Sequence, residues 1–128
     1  MSLLRIGWIG CGTHANEMLL PQLLRHQVKL QALCDVSDER LNETARRYGV
    51  ANADLMKDWQ ALLARNDLDA IGMAVGPALH HEIGLAAVAR GLPIFIEKPP
   101  AATARAASEL AQASASRGVP VVLGFMKR

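Results

Sequence analysis

The chain has 128 residues with a formal net charge of +2, and 51% of them are hydrophobic, which suits a single domain with a buried core and excludes intrinsic disorder. Its 14 basic and 12 acidic residues are spread along the sequence without a basic block, so we expect no binding to nucleic acid. No segment has the roughly 20 uncharged apolar residues of a membrane span, and the N-terminus lacks the pattern of a secretory signal, so we expect a cytoplasmic protein that does not bind membranes.

Short apolar runs alternate with amphipathic segments along the whole chain. The runs typical of strands lie at 3–10, 28–35, 68–75, 93–97 and 119–125. The segments with helical patterns lie at 14–26, 37–49, 58–65, 78–91 and 102–118. Pro21 is expected to bend or shorten the first helix, and Pro120 favours an edge position for the last strand. This alternation predicts an α/β fold, a doubly wound parallel sheet with helices on both faces, in one domain over residues 1–128.

The first predicted strand ends in the sequence GCGTHA, which has the spacing of a dinucleotide-binding turn. Gly10 permits a tight turn, Gly12 leaves room for a pyrophosphate, and Ala15 is small enough for the helix to pack on the strand. Thr13 and His14 belong to the same predicted cradle, where His14 is expected to contribute its backbone more often than its side chain. Because the spacing stands between a strand and a helix, it indicates a Rossmann fold that binds NAD or NADP at the start of that helix.

The second predicted strand ends at Asp35, 20 residues after Ala15 (35 − 15), where a carboxylate accepts hydrogen bonds from the adenosine ribose. Such bonds contribute about 1.5–3 kcal/mol each, whereas a 2′-phosphate beside the same carboxylate is repelled by on the order of 4 kcal/mol. The sequence therefore favours NAD over NADP. Two alternatives stay open, because Arg40 is within reach of a 2′-phosphate and because Asp35 can instead cap the following helix beside Ser37 and Asp38.

Two further strands end in sequences that we expect at the reactive end of the site. Ligands of open parallel sheets bind beyond the carboxyl ends of the strands, so Val75 and Gly76 after one strand, and Glu97 and Lys98 after the next, are predicted to border the nicotinamide. The two prolines that follow Lys98 end strand pairing and fix the chain direction. The alternative is a surface ion pair between Glu97 and Lys98.

Four stretches together resemble one protein family over essentially the whole chain: GCGTHA, CDVSDERL, DLDAIGMAVGPALHHEIGLAAVARGLPIFIEKPPAAT and VVLGFMKR are similar to the glucose–fructose oxidoreductase/inositol dehydrogenase (Gfo/Idh/MocA) family. The resemblance implies an N-terminal Rossmann domain of an oxidoreductase that moves a hydride between NAD(P) and a CH–OH carbon of a sugar, cyclitol or related compound. It also implies that Lys98 lies near the nicotinamide and polarises the reacting C–O group. His80 matches a histidine of the family, and both a cofactor contact and a local bond at the helix start are open for it.

The sequence departs from the family pattern in two places. Val75 and Gly76 precede Pro77, where family members usually have Thr-Pro or Asn-Pro. The polar side chain that contacts the cofactor in the family is therefore missing here, and only backbone groups can substitute for it. The Asp-x-x-x-His pair of the family's substrate-binding domain is absent from the chain. We therefore expect the cofactor half of a larger, homo-oligomeric protein acting on a sugar or polyol, and we expect this half to bind dinucleotide without measurable turnover.

The remaining histidine and cysteine residues do not indicate a further site. His80, His81 and Glu82 are consecutive and point around a helix, so no metal site is predicted. Cys11 and Cys34 have no metal-ligand spacing and are expected as buried thiols in a reducing compartment.

Two other functions remain possible from the sequence. One is a non-catalytic module that senses NAD(H). The less favoured one is an S-adenosylmethionine-dependent methyltransferase, whose glycine-rich turn and acidic strand end look similar but whose chemistry has no use for the Glu-Lys-Pro segment.

Overall fold

The computed structural model describes residues 3–12, 15–96 and 103–123, which form one six-stranded sheet. Its strands are β1 Leu4–Ile9, β2 Val28–Cys34, β3 Leu55–Met56, β4 Ala70–Met73, β5 Ile94–Ile96 and β6 Val121–Leu123. Every neighbouring pair is parallel, and the order across the sheet is β3-β2-β1-β4-β5-β6. The strand order reverses between β1 and β4, which is the position at which doubly wound sheets bind ligands. The predicted fold class is confirmed, and β6 is the edge strand that Pro120 indicated.

The helices that connect these strands are α1 Leu20–Leu23, α2 Asp38–Tyr48, α3 Trp59–Leu63, α4 Pro77–Ala89 and α5 Ala104–Arg117. Side-chain caps begin three of these five helices: the hydroxyl of Ser37 accepts a hydrogen bond from the amide of Arg40 (3.3 Å) at α2, and Asp58 and Thr103 cap α3 and α5. Ser37 is therefore the N-cap of α2. Among the described residues, no helix is long and apolar enough to cross a bilayer.

The segment after β1 differs from the single helix predicted over 14–26. Ala15–Leu19 form a π-helix, and an α-helix follows only over Leu20–Leu23. Pro21 stands just past the junction, and it has no amide hydrogen to donate to an α-helical bond. The shortening that Pro21 predicted is observed, and the π-helical turn is a rare geometry that is frequent at functional sites.

Strand β3 was not predicted from the sequence. It consists only of Leu55 and Met56, which pair with Leu33 and Cys34 of β2. Two residues are too few to show a strand periodicity. The strand exists because β2 offers an unpaired edge, which is a tertiary cause.

The core is divided by the sheet into two buried clusters. Successive residues of β1 alternate between them, since Trp8 belongs to one cluster and Ile9 to the other. One cluster packs under α1 and α2 and includes Ile6, Trp8, Leu19, Leu20, Leu33 and Leu41. The other packs under α3, α4 and α5 and includes Ile9, Leu62, Ile71, Met73, Ile83 and Leu110. Helices therefore cover both faces of the sheet, as the strand–helix alternation predicted, and all four residues of β4 are buried.

Charged side chains join the amino ends of the strands. The guanidinium of Arg5 binds Asp69 at 3.1 and 3.2 Å, across neighbouring strands. Arg65 binds Asp67 through two nitrogens (2.8 and 2.7 Å) and Asp54 through one (2.8 Å). The bonds from Arg65 to Asp67 hold the pKa of the Asp67 carboxyl well below its usual range. These ion pairs thus neutralise the charges along the amino ends of the strands, which form the amino edge of the sheet; the carboxyl ends form its carboxyl edge.

Candidate functional site

The two glycines of the turn after β1 are required for different reasons. Gly10 has a φ of 103°, and a Cβ there would overlap the carbonyl oxygen of Ala74, so both its conformation and its packing demand glycine. Gly12 does not have a positive φ, and a Cβ there would meet no atom of the other described residues beyond its chain neighbours within 4 Å. Nothing within the described protein therefore demands glycine at position 12. The open space beside its backbone fits the close approach of a diphosphate.

Most backbone groups of this turn are already bonded to the protein. The amide of Gly10 donates to the carbonyl of Cys34 (2.9 Å), and the carbonyl of Gly10 accepts from the indole nitrogen of Trp8 (2.7 Å). The amide of Cys11 donates to the carboxylate of Asp35 (2.7 Å). The amide of Gly12 differs, because within the described ranges it has no acceptor. It is a free donor at the start of the helix, as an anion site requires.

Asn16 holds the carbonyls of the same turn. Its side-chain nitrogen donates to the carbonyls of Cys11 and Gly12 (both 3.1 Å) and to the hydroxyl of Thr44 on α2 (2.8 Å). The hydroxyl of Tyr48, also on α2, donates to the backbone carbonyl of Asn16 (2.7 Å). Asn16 and Thr44 are 9% and 1% exposed, so this polar network is buried.

Sequence reasoning missed this network, although a signal was present. Asn16 stands three and four residues before Leu19 and Leu20, on the apolar face of the predicted helix. Thr44 stands three residues after Leu41 and four before Tyr48, on the apolar face of α2. A polar residue at a core position of a helix needs a hydrogen-bond partner. Two such residues on helices that pack on the same face of the sheet therefore predict a bond between them.

Asp35 links the glycine turn to the start of α2. One carboxylate oxygen accepts from Cys11, and the other accepts from the amide of Ser37 (2.8 Å). Each oxygen has a second lone pair, so these bonds leave acceptor capacity for ribose hydroxyls. The predicted contact between Asp35 and the ribose stays a prediction. The alternative role of Asp35 at the start of α2 is observed in one form: Asp35 binds the amide of Ser37 in the turn before α2, while Ser37 is the N-cap.

A cleft of about 280 Å³ lies between the glycine turn and α2. It brings Arg40 beside Gly12, together with a second arginine and three glutamates. The residues that line it are Cys11, Gly12, Asn16, Glu17, Glu39, Arg40, Glu43 and Arg47. Three carboxylates against two guanidinium groups make this surface a poor receptor for a doubly charged phosphate.

An apolar pocket of about 120 Å³ lies on the other side of Asp35, at the carboxyl ends of β1 and β2. Two large apolar side chains of this pocket are open to solvent, Val36 at 81% and Leu79 at 43% exposure. The pocket is lined by Ile9, Gly10, Cys34, Asp35, Val36, Lys57, Trp59, Val75, Leu79 and Ile83. A flat apolar ring such as adenine suits these walls, since it covers side chains that water otherwise contacts.

His80 supports one wall of this pocket. Its ring is buried (1% exposed), and its Nε2 accepts a hydrogen bond from the amide of Val75 (3.0 Å). An imidazole nitrogen that accepts carries no proton, so the ring is neutral with its proton on Nδ1. This is the local bond that the sequence left open, and it fixes the loop with Val75 and Gly76, which precedes α4 and packs against Gly10.

The two thiols near the turn are not nucleophiles. Burial first, and the nearby Asp35 carboxylate second, raise the pKa of Cys11 to about 12. The same causes raise the pKa of Cys34 to about 12. Both are free and buried, so they stay protonated at neutral pH. In the part of the chain that the structure describes, no three His, Cys, Asp or Glu side chains converge to hold a metal ion.

Four predicted site residues lie outside the described residues: Thr13, His14, Glu97 and Lys98. Their proposed roles stay predictions. The structure does bring the other predicted residues to one edge, since Gly10, Asp35 and Val75 line a single pocket and Gly12 and Arg40 line the adjoining cleft. Ala15 is buried at the start of the π-helix, where its small size permits packing on the strand.

Known proteins are similar to this chain in sequence and in fold. The sequence matches the family GFO_IDH_MocA, described as an oxidoreductase family with an NAD-binding Rossmann fold, over residues 4–125. The inositol 2-dehydrogenase of Acidiphilium cryptum (strain JF-5) is 34% identical over an alignment of 128 positions, which covers 98% of this chain and 38% of that protein.

Two solved structures are similar. A dehydrogenase from Chromobacterium violaceum superposes with a TM-score of 0.86 and 35% identity, over 97% of this chain and 36% of that one. KijD10, a 3-ketoreductase from Actinomadura kijaniata in complex with TDP-benzene and NADP, superposes with a TM-score of 0.87 and 26% identity, over 97% of this chain and 39% of that one. The chain thus spans less than two fifths of the length of these relatives.

Proposed function

Because the chain belongs to the Gfo/Idh/MocA oxidoreductase family, as its NAD-binding Rossmann domain, we propose that it carries NAD for hydride transfer to or from a CH–OH carbon of a sugar or polyol. The diphosphate lies at Gly12, the adenosine lies at the apolar pocket beside Asp35, and the nicotinamide extends toward Val75, Gly76 and Lys98. When bound, the dinucleotide supplies or accepts the hydride, and this chain binds and orients it.

The single observation that carries the proposal is the surrounding of Gly12. Among the described residues, none stands on the side of its backbone where a Cβ would be, and none accepts a hydrogen bond from its amide. Both features are explained by an anion that approaches the backbone at the start of a helix, and packing among the described residues explains neither.

A preference for NAD over NADP follows from the charges around the ribose end. The Asp35 carboxylate accepts hydroxyl hydrogen bonds and repels a 2′-phosphate. Arg40 attracts such a phosphate, but Glu39 and Glu43 line the same cleft and offset its charge. We therefore propose that NAD is the preferred cofactor and that NADP binds more weakly.

The class of substrate is supported by the relatives. One is an inositol 2-dehydrogenase, and another is a 3-ketoreductase solved with a thymidine diphosphate compound. Lys98 is proposed to orient and polarise the reacting C–O group. The acid–base groups of the reaction and the contacts to the substrate are proposed to lie beyond these 128 residues, so the chain by itself binds cofactor without turnover.

Calorimetric titration with NADH, NADPH and S-adenosylmethionine tests the proposal. We expect NADH to bind, NADPH to bind about tenfold more weakly, and S-adenosylmethionine not to bind. Binding of S-adenosylmethionine without NADH contradicts an oxidoreductase domain. Equal affinities for NADH and NADPH contradict the role of Asp35 and leave dinucleotide binding intact.

A further inference from the structure

We propose that Asn16, held by Thr44 and Tyr48 of α2, is a positioning residue that aims the amide of Gly12 at the diphosphate of the dinucleotide. The inference rests on the proposed function, since it concerns how the same turn binds its anion. It assigns a role to a residue outside the glycine spacing and to two residues of a neighbouring helix.

The orientation of the Gly12 amide follows from the bond to Cys11. The carbonyl of Cys11 and the amide of Gly12 belong to one planar trans peptide, so they point in opposite directions. Asn16 draws that carbonyl toward the buried network through its side-chain nitrogen (3.1 Å). The amide of Gly12 is therefore directed away from the network.

The carbonyl of Gly12 is held twice, by the backbone amide of Asn16 (3.0 Å) and by its side-chain nitrogen (3.1 Å). The amide of Cys11, which belongs to the preceding peptide, is bound to Asp35, so the backbone is held on both sides of the Cys11–Gly12 peptide. A fixed donor binds an anion more tightly than a free one, because its orientation is not lost on binding.

The chemistry of position 16 favours a role other than stability. Asn16 is only 9% exposed, and an apolar side chain at a buried position has no polar group to satisfy. The Oδ1 of Asn16 is buried and has no hydrogen-bond partner in the described part of the chain. A buried polar group that is only half satisfied is unfavourable for folding and is retained where it serves a site. The π-helix begins at the same point.

Helix α2 fixes Asn16 from both ends. The hydroxyl of Thr44 accepts from its side chain, and the hydroxyl of Tyr48 donates to its backbone carbonyl. The side-chain nitrogen has two hydrogens for three acceptors within 3.1 Å, so one hydrogen is shared between the two turn carbonyls while the bond to Thr44 holds the plane of the amide in which it can reach them. Loss of the Thr44 oxygen is therefore expected to loosen the turn.

The test compares ligands that contain phosphate with one that does not. In Asn16→Leu, we expect the Kd values of NADH and of ADP to rise about tenfold, as for the loss of one oriented hydrogen bond to an anion. The Kd of adenosine should stay within about twofold of the unaltered chain. Asn42→Leu, the same change at an exposed position of α2, is the matched control and should alter none of the three.

A second pair of variants keeps the test decisive if Asn16→Leu does not fold. Thr44→Val removes the oxygen and should weaken NADH and ADP, whereas Thr44→Ser retains the oxygen and should restore most of the affinity. Equal losses for ADP and adenosine, or unchanged NADH binding in Asn16→Leu and Thr44→Val, overturn the positioning role while dinucleotide binding stands. Failure of the unaltered chain to bind NADH overturns the proposed function, and this inference with it.

Discussion

The two edges of the sheet use their polar groups in opposite ways. At the amino edge, Arg5 is bonded to Asp69, and Arg65 is bonded to Asp67 and Asp54. These charges are neutralised within the protein, and the one unpartnered buried oxygen described there is Oε1 of Gln31, whose side-chain nitrogen binds Asp67. The amino edge therefore serves mainly the stability of the fold.

At the carboxyl edge, groups that can act on a ligand are left available. Gly12 has an amide without an acceptor among the described residues, Asp35 keeps acceptor capacity, and Val36 and Leu79 are exposed. These features do not favour the isolated fold, but each gains energy when a nucleotide covers it. The contrast teaches that substitutions at the two edges should separate stability from binding.

The largest effect is expected on stability at Gly10, because the backbone of this residue packs against the loop before α4. In Gly10→Ala, the new methyl group overlaps the carbonyl of Ala74 at a backbone φ of 103°. We expect the free energy of unfolding to fall by about 3 kcal/mol. Urea denaturation measures the loss, and a stability equal to that of the unaltered chain means that the turn is not built as described.

Two residues further along the same turn, the expected effect shifts from stability to binding. In Gly12→Ala, the methyl group enters open space, so the unfolding midpoint should be unchanged. The affinity for NADH should fall about thirtyfold, or about 2 kcal/mol, because the diphosphate no longer reaches the backbone. Calorimetry and urea denaturation of the same sample check both halves, and intact NADH affinity places the diphosphate elsewhere.

A smaller change in binding is expected at Asp35. Asp35→Asn retains the shape of the side chain, replaces one of the two oxygens that accept from the amides of Cys11 and Ser37, and removes the charge that is proposed to attract ribose hydroxyls and repel a 2′-phosphate. We expect NADH affinity to fall about tenfold, and the preference for NADH over NADPH to narrow. Competition between the two cofactors measures the preference, and an unaltered ratio assigns the selection to another residue, with Arg40→Ala as the next variant.

The smallest effect concerns the amino edge and depends on pH. Because Arg65 lowers the pKa of Asp67 in the folded chain, the stability it provides is complete above the ordinary carboxyl pKa of about 4. That stability is lost as the pH falls through the lower, folded-state pKa. Asp67→Asn should cost about 1 kcal/mol at pH 7, after allowance for partial exposure, and less at pH 2.

Denaturation at both pH values tests this, with Asp38→Asn as the control. Asp38 is 71% exposed and meets Lys57 at 3.5 Å, so its loss should cost less than about 0.5 kcal/mol. NADH affinity should be unaltered in both variants. A weaker NADH affinity in Asp67→Asn means that the two edges are coupled and not independent.

Much of the fold was predictable because its signals are local. The apolar runs gave five of the six strands, and helix ends followed from Ser37 and Gly49, whose side chain and backbone act on the adjacent turn. The glycine spacing likewise predicted the turn after β1. Strand β3 was missed because its two residues owe their geometry to the edge of β2.

The candidate site was predictable in its residue types and not in its internal bonds. The sequence marked Asp35 as a carboxylate at a strand end, but only the fold brings the amides of Cys11 and Ser37 to its two oxygens. It marked His80 without deciding between two roles, and the bond to Val75 becomes visible only when the loop before α4 is in place.

The sequence by itself determined the strand–helix alternation, the parallel sheet, the family and the glycine turn after β1, because periodicity, caps and glycine spacing act over a few residues. Only the tertiary structure decided which polar groups are used within the protein and which remain for a ligand. Asn16 and Thr44 are 28 residues apart in the chain and meet because α1 and α2 pack on the same face of the sheet. Hydrogen bonding is satisfied in space and not along the sequence, so the division between bonded and available groups exists only in the folded chain.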